Sequence, residues 1–409
     1  MKLTMKNIGV IRDAEIQLDG ITVLAGFNGT GKSTTSKALY SVIASYADLT
    51  RRIAEERTNS VKHIFTSYHF SMPLYIRPRY YGVEAVLDRS TSELCSELAD
   101  KSRPIPERYE EWVALFPNPQ KDSEQAKEDF PKFLAEIRTA VNRPDAEYIQ
   151  YVAQRVIQSV FDGQISTINS PCPGEISLKK GEKTQIAWIK ITGNKVTECG
   201  EQEINSGPPI YLDTHHVLES ERRVIYNSEL YDLLEKAPSE PTFEEYKSRE
   251  RLQDMISSVI HGKLTVSTFG EFMFQDERFH EPISLRNTAS GNKTFAVLQR
   301  LIEQGALRPN GVLIIDEPEN NQHPAWQLKL AETLVLIQRE LGVRLFLNTH
   351  STYFLRAIEV YADKYELSER CHYYQTQPAD GAENLFSVRN VDGNTNLIYH
   401  DFYMPLEEL

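Results

Sequence analysis

The sequence contains no apolar run near the roughly eighteen residues that a membrane-spanning helix needs. Its first residues, Met1–Asn7, also lack an apolar stretch of the length found in secretory signal peptides. A membrane anchor and a secreted destination are therefore both disfavoured. We expect a cytoplasmic protein that makes no membrane contact.

Cysteine is scarce, with four among 409 residues. The cysteines are Cys95, Cys172, Cys199 and Cys371, and none of them belongs to a C-x-x-C pair. Such scattered cysteines indicate neither a zinc site nor a disulfide framework. We expect free thiols in a reducing compartment.

Positive charge is also in deficit, because 45 lysines and arginines face 58 aspartates and glutamates, for a net charge of −13. Sequence-independent DNA binding depends on neutralising phosphates, so this balance does not favour it. Net charge says nothing about how charge is distributed, and small basic clusters occur at Arg51-Arg52 and Arg77–Arg79. Solvated surface arginines are the simpler interpretation, and DNA binding stays open.

A phosphate-binding loop is the most informative feature that the sequence does contain. Gly26-Phe27-Asn28-Gly29-Thr30-Gly31-Lys32-Ser33 matches the pattern G-x-x-x-x-G-K-[ST] at every fixed position. An apolar run, Ile21–Ala25, precedes it as a strand would, and apolar residues recur afterwards at helical spacing. This strand–loop–helix context favours a P-loop over an ordinary glycine-rich turn.

The residue types of this loop suit nucleotide phosphates. Glycines at 26, 29 and 31 allow backbone N–H groups to turn inward, and the following helix adds the partial positive charge of its N-terminus. Lys32 can reach the β- and γ-phosphates, and the Ser33 hydroxyl can ligate Mg²⁺. We therefore predict ATP and Mg²⁺ as ligands.

Three further motifs that an ATP site requires follow the P-loop along the chain, and two of them stand at strand ends. The apolar strand Val312–Ile315 ends in Asp316-Glu317, which suits one carboxylate for Mg²⁺ and one for polarising the attacking water. His350 follows the strand Val343–Leu347 and can sense the γ-phosphate. Taken alone, these motifs could be a strand-ending turn and a helix-capping histidine.

Ser290-Gly291 begins a predicted helix ahead of the Asp316 strand and can offer a hydroxyl and backbone N–H groups to phosphate oxygens. By spacing alone it could equally be an ordinary helix cap. A separate cluster of Asp213, His215 and His216 could suggest a metal site. Three such residues at a strand end are more often structural, so we do not assign them a metal.

The remaining pattern predicts an α/β protein interrupted by a polar helical stretch. Gly193-Asn194 is a two-residue hairpin signal. The predicted helices are the one that follows the P-loop to about Asp48, Ser90–Lys101, Ser123–Val141, Asp145–Phe161, Asn227–Lys236, Phe243–His261, Lys293–Glu303, a long helix that opens at Pro324, and Ser351–Tyr361. The predicted strands, besides those already named, are Leu3–Met5, Ile8–Ile11, Ala14–Leu18, Gln185–Thr192, Lys195–Cys199, Pro209–Asp213, Leu264–Thr268, Glu271–Gln275, Ile283–Leu285, and edge strands after residue 371. We expect a core of 1–48 with 262–409, a helical insertion at 49–170, and a β-rich and helical lobe at 171–261.

The order of these motifs resembles ATP-binding-cassette ATPases of the SMC, RecF and OLD type. Within them the chain is most similar to stand-alone bacterial AAA-family ATPases, which are common in antiphage defence loci. The residues that carry the resemblance are Met5–Gly9, Gly26–Thr34, Tyr211–Thr214, Ser290–Lys293, Ile314–Pro324 and Asn348–Ser351. Two departures are the signature segment, Ser-Gly-Asn-Lys rather than Ser-Gly-Gly-Gln, and a Q-loop that has no evident position, since the first glutamine after the P-loop is Gln120.

The resemblance implies a P-loop ATPase head, a mixed sheet flanked by helices, with a helical insertion lobe. It implies Glu317 as catalytic base, His350 as switch histidine and Lys32 as a catalytic phosphate-binding residue, with Ser33 and Asp316 on Mg²⁺. The implied nucleotide-binding residues are Gly26, Asn28, Gly29, Thr30, Gly31, Lys32, Ser33, Thr34, Ser290 and Gly291. Ser290 and Gly291 would contact ATP held by a second subunit, in a head-to-tail homodimer or a higher even-numbered homo-oligomer.

The favoured function is an ATPase that dimerises around ATP and regulates a separate effector, a nuclease or toxin, in antiphage defence. The alternative is a RecF-type ATPase of DNA repair or maintenance that binds DNA. A transporter subunit fits less well because of the unplaced Q-loop and the unusual signature segment. A scaffold that binds ATP without turnover fits less well because the proposed base, Glu317, is present.

Overall fold

The computed structural model describes residues 1–67, 124–167, 172–181, 184–204, 207–213, 225–236, 238–267, 270–381 and 384–407. The chain divides into two compact units. The first comprises Met1–Ala47 with Ala153–Leu409, and the second comprises Asp48–Val152. The expected division of the chain differs, because it sets 171–261 apart from the core.

Among the described residues, eleven strands form one mixed sheet in the order β6-β5-β4-β1-β2-β14-β13-β3-β12-β11-β7. A second sheet has the order β10-β9-β8. The strands are β1 (Lys2–Ile8), β2 (Ile11–Gln17), β3 (Ile21–Ala25), β4 (Gly174–Lys180), β5 (Thr184–Thr192), β6 (Lys195–Cys199), β7 (Ile210–Asp213), β8 (Gly262–Val266), β9 (Phe272–Asp276), β10 (Ile283–Ser284), β11 (Val312–Asp316), β12 (Arg344–Thr349), β13 (Cys371–Pro378) and β14 (Phe386–Asn390).

Helices flank the large sheet, and the fold is α/β as predicted. The described helices are α1 (Lys32–Tyr46), α2 (Leu49–Ser67), α3 (Glu124–Asn142), α4 (Asp145–Phe161), α5 (Ile225–Glu235), α6 (Phe243–Ser257), α7 (Ser290–Glu303), α8 (Pro324–Leu341), α9 (Thr352–Lys364) and α10 (Asn396–Glu407). Short 3₁₀ turns lie at Leu285–Asn287 and Ser368–Arg370. None of the helices in the described ranges is both long and apolar enough to cross a membrane.

The parallel part of the sheet, β13-β3-β12-β11-β7, positions the site. Every residue of β3 and β11 is buried, as expected of parallel strands covered on both faces. Apolar side chains such as Ile315 on β11, Leu334 on α8 and Ile358 on α9 belong to one continuous core. Parallel strands end at one edge, so the loops after β3, β11 and β12 meet there.

Local signals set several element ends where the sequence predicts them. Helix α8 begins with Pro324 at its first turn and ends before Gly342, whose φ of 64° lies in the left-handed region. The β5–β6 hairpin turns at Gly193-Asn194, where both residues have positive φ. Helix α4 has the predicted bounds, and α3 differs from its prediction by one residue at each end.

The expectation of edge strands after residue 371 is wrong. Strand β13 pairs in parallel with β3, and β14 pairs in parallel with β2, so both strands lie inside the sheet. The polar side chains of Gln375 and Thr376 are buried, beside the loop that follows β3. The final helix, α10, is absent from the sequence prediction.

Two other predicted helices have different outcomes. The helix expected over Phe243–His261 ends at Ser257, because Gly262 already begins β8. The helix expected over Ser90–Lys101 lies outside the described residues. The second unit contains α2 and α3, whose buried residues include Val61, Phe133 and Ile137.

Candidate functional site

Strand register explains why residues nearly three hundred positions apart meet. On β11 and β12, Asp316 pairs with Asn348, and on the other side of β11 it pairs with Asp213 of β7. One position further along β12, Thr349 pairs with Ala25 at the end of β3. The loops that carry Lys32, Glu317 and His350 therefore leave one edge of the sheet side by side.

The loop between β3 and α1 has the backbone that a phosphate cradle needs. Gly29 and Gly31 have φ values of 78° and 94°, which few residues other than glycine adopt. At Gly26 a Cβ atom would overlap the hydroxyl oxygen of Thr376 on β13. Thr376 and Thr30 hydrogen-bond through their hydroxyl oxygens, 2.7 Å apart, so the loop is held from β13.

Lys32 is the first residue of α1, and its side chain is only 4% exposed. Its Nζ donates to the carbonyl oxygens of Gly26 at 2.9 Å and Phe27 at 3.0 Å. It also lies 3.9 Å from Oε1 of Glu317. Burial lowers the pKa of Lys32, and the carboxylate of Glu317 opposes that shift. The ammonium thus sits between the loop carbonyls and the proposed base.

Asp316, at the end of β11, is buried and saturated with hydrogen bonds. Oδ1 accepts from the Ser36 hydroxyl at 2.6 Å and from Asn348, and Oδ2 accepts from the Tyr211 hydroxyl at 2.6 Å. Ser33 also hydrogen-bonds this carboxylate. Burial raises the pKa of Asp316, and these donors counteract the rise.

Glu317 follows in a left-handed backbone conformation, with φ of 48°. Its N–H donates to the carbonyl of Asn348 at 3.0 Å, and its Oε2 accepts from Asn320 Nδ2 at 2.8 Å. Non-glycine residues adopt this conformation at a cost, and it is found at sites that the surrounding structure holds in place. The carboxylate is thereby aimed at Lys32 and His350.

His350 completes the cluster. Its Nδ1 lies 3.5 Å from Oε1 of Glu317 and 3.6 Å from Oε1 of Glu319. The contact with Glu317 raises the pKa of His350, with a further contribution from Glu319, against burial and the nearby Lys32 charge. These carboxylates therefore favour the imidazolium form more than in a free histidine, although the side chain is 40% exposed.

Gly291 of the signature segment packs against a neighbouring helix and not against this cluster. Ser290 and Gly291 form the first turn of α7. The atoms nearest to a Cβ at Gly291 all belong to Trp326 in the first turn of α8, the closest at 2.9 Å. Trp326 in turn meets Phe295 edge-to-face, with ring centroids 5.8 Å apart. Gly291 is thus required for the close packing of α7 on α8.

The structure brings Lys32, Asp316, Glu317 and His350 together from three separate motifs. Asn28 is exposed at the loop tip, whereas the side chain of Thr34 lies next to Gly9. The sequence reasoning did not identify Ser36 as a site residue. One signal could have found it: Ser36 follows Ser33 by three positions and so shares its face of α1.

Asn348 and Tyr211 belong to sequence motifs, but the sequence predicts no role for either side chain. Asn348 Nδ2 donates to Ser36 at 2.6 Å as well as to Asp316. Both residues lie on strands that flank β11, so their partner could only be recognised from strand order. Together they hold the carboxylate of Asp316 in one orientation.

The donor set suits Mg²⁺. The Ser33 hydroxyl and the Asp316 carboxylate supply hard oxygen ligands, which Mg²⁺ prefers, and this ion commonly takes its other ligands from phosphates and water. No group of three or more histidine, cysteine, aspartate or glutamate side chains in the described ranges could hold a metal by itself. His215 and His216 lie outside those ranges, whereas Cys172, Cys199 and Cys371 are free thiols.

The site and the fold together define a P-loop nucleotide-binding protein of the α/β class. The model of the AAA ATPase domain family matches residues 1–355, and the chain belongs to this family. No curated protein sequence matches it.

Solved structures that match the chain include heads of SMC proteins. The SMC head bound to the C-winged helix domain of ScpA has a TM-score of 0.45 and 10% identity over 97% of this chain and 98% of that chain. The SMC head domain from Thermotoga maritima has a TM-score of 0.38 and 9% identity over 95% and 98%. The SMC head with an extended coiled coil, bound to the C-terminal domain of ScpA derived from Pyrococcus furiosus, has 0.34 and 10% over 98% of both chains.

Proposed function

We propose that this chain hydrolyses ATP to ADP and phosphate, with Glu317 as the base. The observation that carries the proposal is the contact of Glu317 with both Lys32 and His350 at the phosphate-binding loop. A carboxylate placed between two cations beside a P-loop is suited to act where the γ-phosphate of ATP would lie. Membership of the AAA ATPase domain family supports the same reaction.

Each residue has a distinct part in this reaction. The backbone N–H groups of Gly29–Ser33 and the Lys32 ammonium bind the β- and γ-phosphates. Glu317 takes a proton from the water that attacks the γ-phosphorus, and the bond between that phosphorus and the β,γ-bridging oxygen breaks. His350 stabilises charge on the γ-phosphate as an imidazolium. Ser33 and Asp316 would hold Mg²⁺, which would neutralise phosphate charge.

The second part of the proposal is a head-to-tail homodimer, or a higher even-numbered assembly, that closes around ATP. Gly291 packs against Trp326 and not against the phosphate-binding loop of its own chain, so that loop would take its signature segment from a second copy. A helix start that carries Ser290 and Gly291 offers backbone donors to an anion. Support for the partner copy comes from this placement and from the motif resemblance.

The third part is regulation of a separate effector, a nuclease or toxin, in antiphage defence. Its support is the resemblance of the motifs. DNA repair or maintenance is the competing role. The net charge of −13 disfavours it, because DNA binding draws most of its affinity from phosphate neutralisation.

The substitution Glu317→Gln tests the reaction directly. The amide keeps the size of the side chain but cannot accept the proton, so phosphate release should fall by about 100-fold or more. ATP binding should persist, because Lys32 and the loop are unchanged. Sedimentation velocity with Mg-ATP should then show an accumulated dimer.

The matched control is Glu332→Gln, which changes an acid on α8 that pairs with Lys364 at 3.0 Å. It should leave turnover and assembly unchanged. A Glu317→Gln protein that releases phosphate at the normal rate contradicts the role of the base.

Stimulation of wild-type turnover by duplex DNA would favour the repair role, whereas co-purification of a neighbouring gene product would favour the effector role.

A further inference from the structure

Glu319 is a buried acid that none of the steps above uses. It lies in the loop between β11 and α8 and is 4% exposed. Its Oε1 accepts hydrogen bonds from the Thr349 hydroxyl at 2.6 Å and from the backbone N–H of His350 at 2.8 Å. The same oxygen lies 3.6 Å from Nδ1 of the His350 imidazole. One carboxylate thus touches both the backbone and the ring of His350.

A chain of hydrogen bonds extends this contact to α8. Ser351 donates its N–H to the Thr349 hydroxyl at 3.0 Å and its own hydroxyl to Gln327 at 2.7 Å. Gln327 donates to the carbonyl of Gln322 at 3.1 Å, which lies in the same loop as Glu319. Because the members of this network are buried or half-buried, it holds the two loops in one arrangement.

The presence of an acid instead of an amide at position 319 needs a separate explanation. A buried carboxylate costs several kcal/mol unless it is paired, and a neutral amide could accept the same two hydrogen bonds. Its Oε2 is buried and has no hydrogen-bond partner in the part of the chain that the structure describes. Burial raises the pKa of Glu319, and its contacts with Thr349 and His350 oppose that rise. The nearest cation is His350.

We propose that Glu319 is a positioning residue for His350. Its carboxylate fixes the backbone at Thr349-His350 and holds the imidazole between itself and Glu317, in the charged form, at the γ-phosphate position. The groups that face the imidazole are Glu317, Glu319 and Lys32. The positioning of His350 by Glu319 does not depend on ATP hydrolysis. Only the effect of His350 on ATP rests on the proposed function.

The substitution Glu319→Gln separates charge from shape. The amide oxygen can still accept from Thr349 and from the His350 N–H, so the loop should keep its fold. Removal of one of two carboxylates beside the imidazole should lower the pKa of His350 by about one unit. A histidine NMR titration of the full chain without nucleotide measures this shift, with the resonance assigned from His350→Ala.

The lowered pKa of His350 in Glu319→Gln also predicts a change in kinetics. Above both pKa values, the kcat of Glu319→Gln should fall by up to about tenfold, because a smaller fraction of His350 is charged to stabilise the γ-phosphate. The KM for ATP should change less than twofold. The high-pH limb of kcat should move to lower pH. In a His350→Ala background, the added Glu319→Gln should change kcat by less than twofold.

Thr349→Val serves as the matched control, since it removes a hydrogen bond to the same oxygen and keeps the charge. It should leave the pKa of His350 unchanged. An unchanged titration in Glu319→Gln overturns the proposal, as does an equal loss of kcat with and without His350. If the wild-type chain releases no phosphate from ATP, the proposed function fails, and the NMR titration still decides the role of Glu319.

Discussion

Close packing of small side chains gives the phosphate-binding loop its shape at the scale of single residues. Gly26 faces Thr376 on the neighbouring strand so closely that any side chain would collide with the threonine hydroxyl. Its φ is not positive, so the need for glycine here comes from space and not from backbone conformation. Thr376 therefore belongs to the site although it lies far along the sequence.

The substitution Gly26→Ala should destabilise the fold by about 1–3 kcal/mol through overpacking. In the double variant, Thr376→Ala removes the hydroxyl and should recover part of the lost stability. Urea denaturation of the four proteins measures the coupling. A Gly26→Ala protein as stable as wild type, or a double variant that is no better than the single one, would contradict this packing account.

The contact of His350 with Glu317 has a pH dependence whose sign is fixed by the raised pKa of His350. A raised folded-state pKa means that the contact stabilises the fold fully below the unfolded value of about 6.5 and that this stabilisation is lost as pH rises through the folded value. His350→Ala should therefore destabilise the protein more at pH 5 than at pH 9. Thermal unfolding at the two pH values measures this, and an equal loss at both would refute the contact.

At the scale of elements, the site depends on three neighbouring parallel strands. The motifs at Lys32, Asp316-Glu317 and His350 could be predicted because each is local and ends an apolar run. Their convergence at one edge also follows from the rule for parallel strands. The contacts of Asp316 with Tyr211 and Ser36 could not be predicted, because they depend on which strands flank β11 and how α1 faces it.

The position of β13 shows where sequence patterns mislead. Its Gln375 and Thr376 are polar, and a polar strand near the end of a chain suggests an exposed edge. In the sheet they pair beside the end of β3, with Gln375 opposite Ala25. The Thr376 hydroxyl bonds Thr30 of the phosphate-binding loop, and the Gln375 amide bonds Asp401 and Gln377. Burial of a polar side chain at a functional edge is a tertiary effect that local pattern does not carry.

The packing of α7 on α8 gives a test at the same scale. Gly291→Ala would bring a methyl group 2.9 Å from the Trp326 ring and so displace the helix start. If that start serves a second copy, ATP-dependent dimerisation of Glu317→Gln should weaken about tenfold or more. Nucleotide affinity of the single chain should be unchanged.

Trp326→Phe, which removes the atoms that would collide, should restore dimerisation to the Gly291→Ala protein. Sedimentation velocity with Mg-ATP and binding of a fluorescent ATP analogue measure the two properties separately. Equal loss of nucleotide binding and dimerisation in Gly291→Ala would place the effect in the fold of the single chain and contradict the role of α7.

At the scale of the whole molecule, the first unit contains the P-loop, the acidic pair and the histidine in one sheet, but its Ser290-Gly291 turn contacts Trp326 instead. In the proposed assembly, a complete ATP site requires two copies, each lending its α7 to the other. In such an arrangement ATP binding and subunit association are coupled equilibria, because a nucleotide bound by one copy gains its contacts with the second copy only in the closed dimer.

Complementation between two inactive variants tests this central claim most directly. Lys32→Ala removes the phosphate-binding lysine, and Ser290→Arg blocks the signature segment, so neither protein alone should hydrolyse ATP. A heterodimer of the two retains one intact site, made from the P-loop of one copy and the signature segment of the other. An equimolar mixture should therefore recover about a quarter of wild-type phosphate release. A mixture that stays as inactive as its components, while both variants remain folded and able to dimerise, would contradict the shared site.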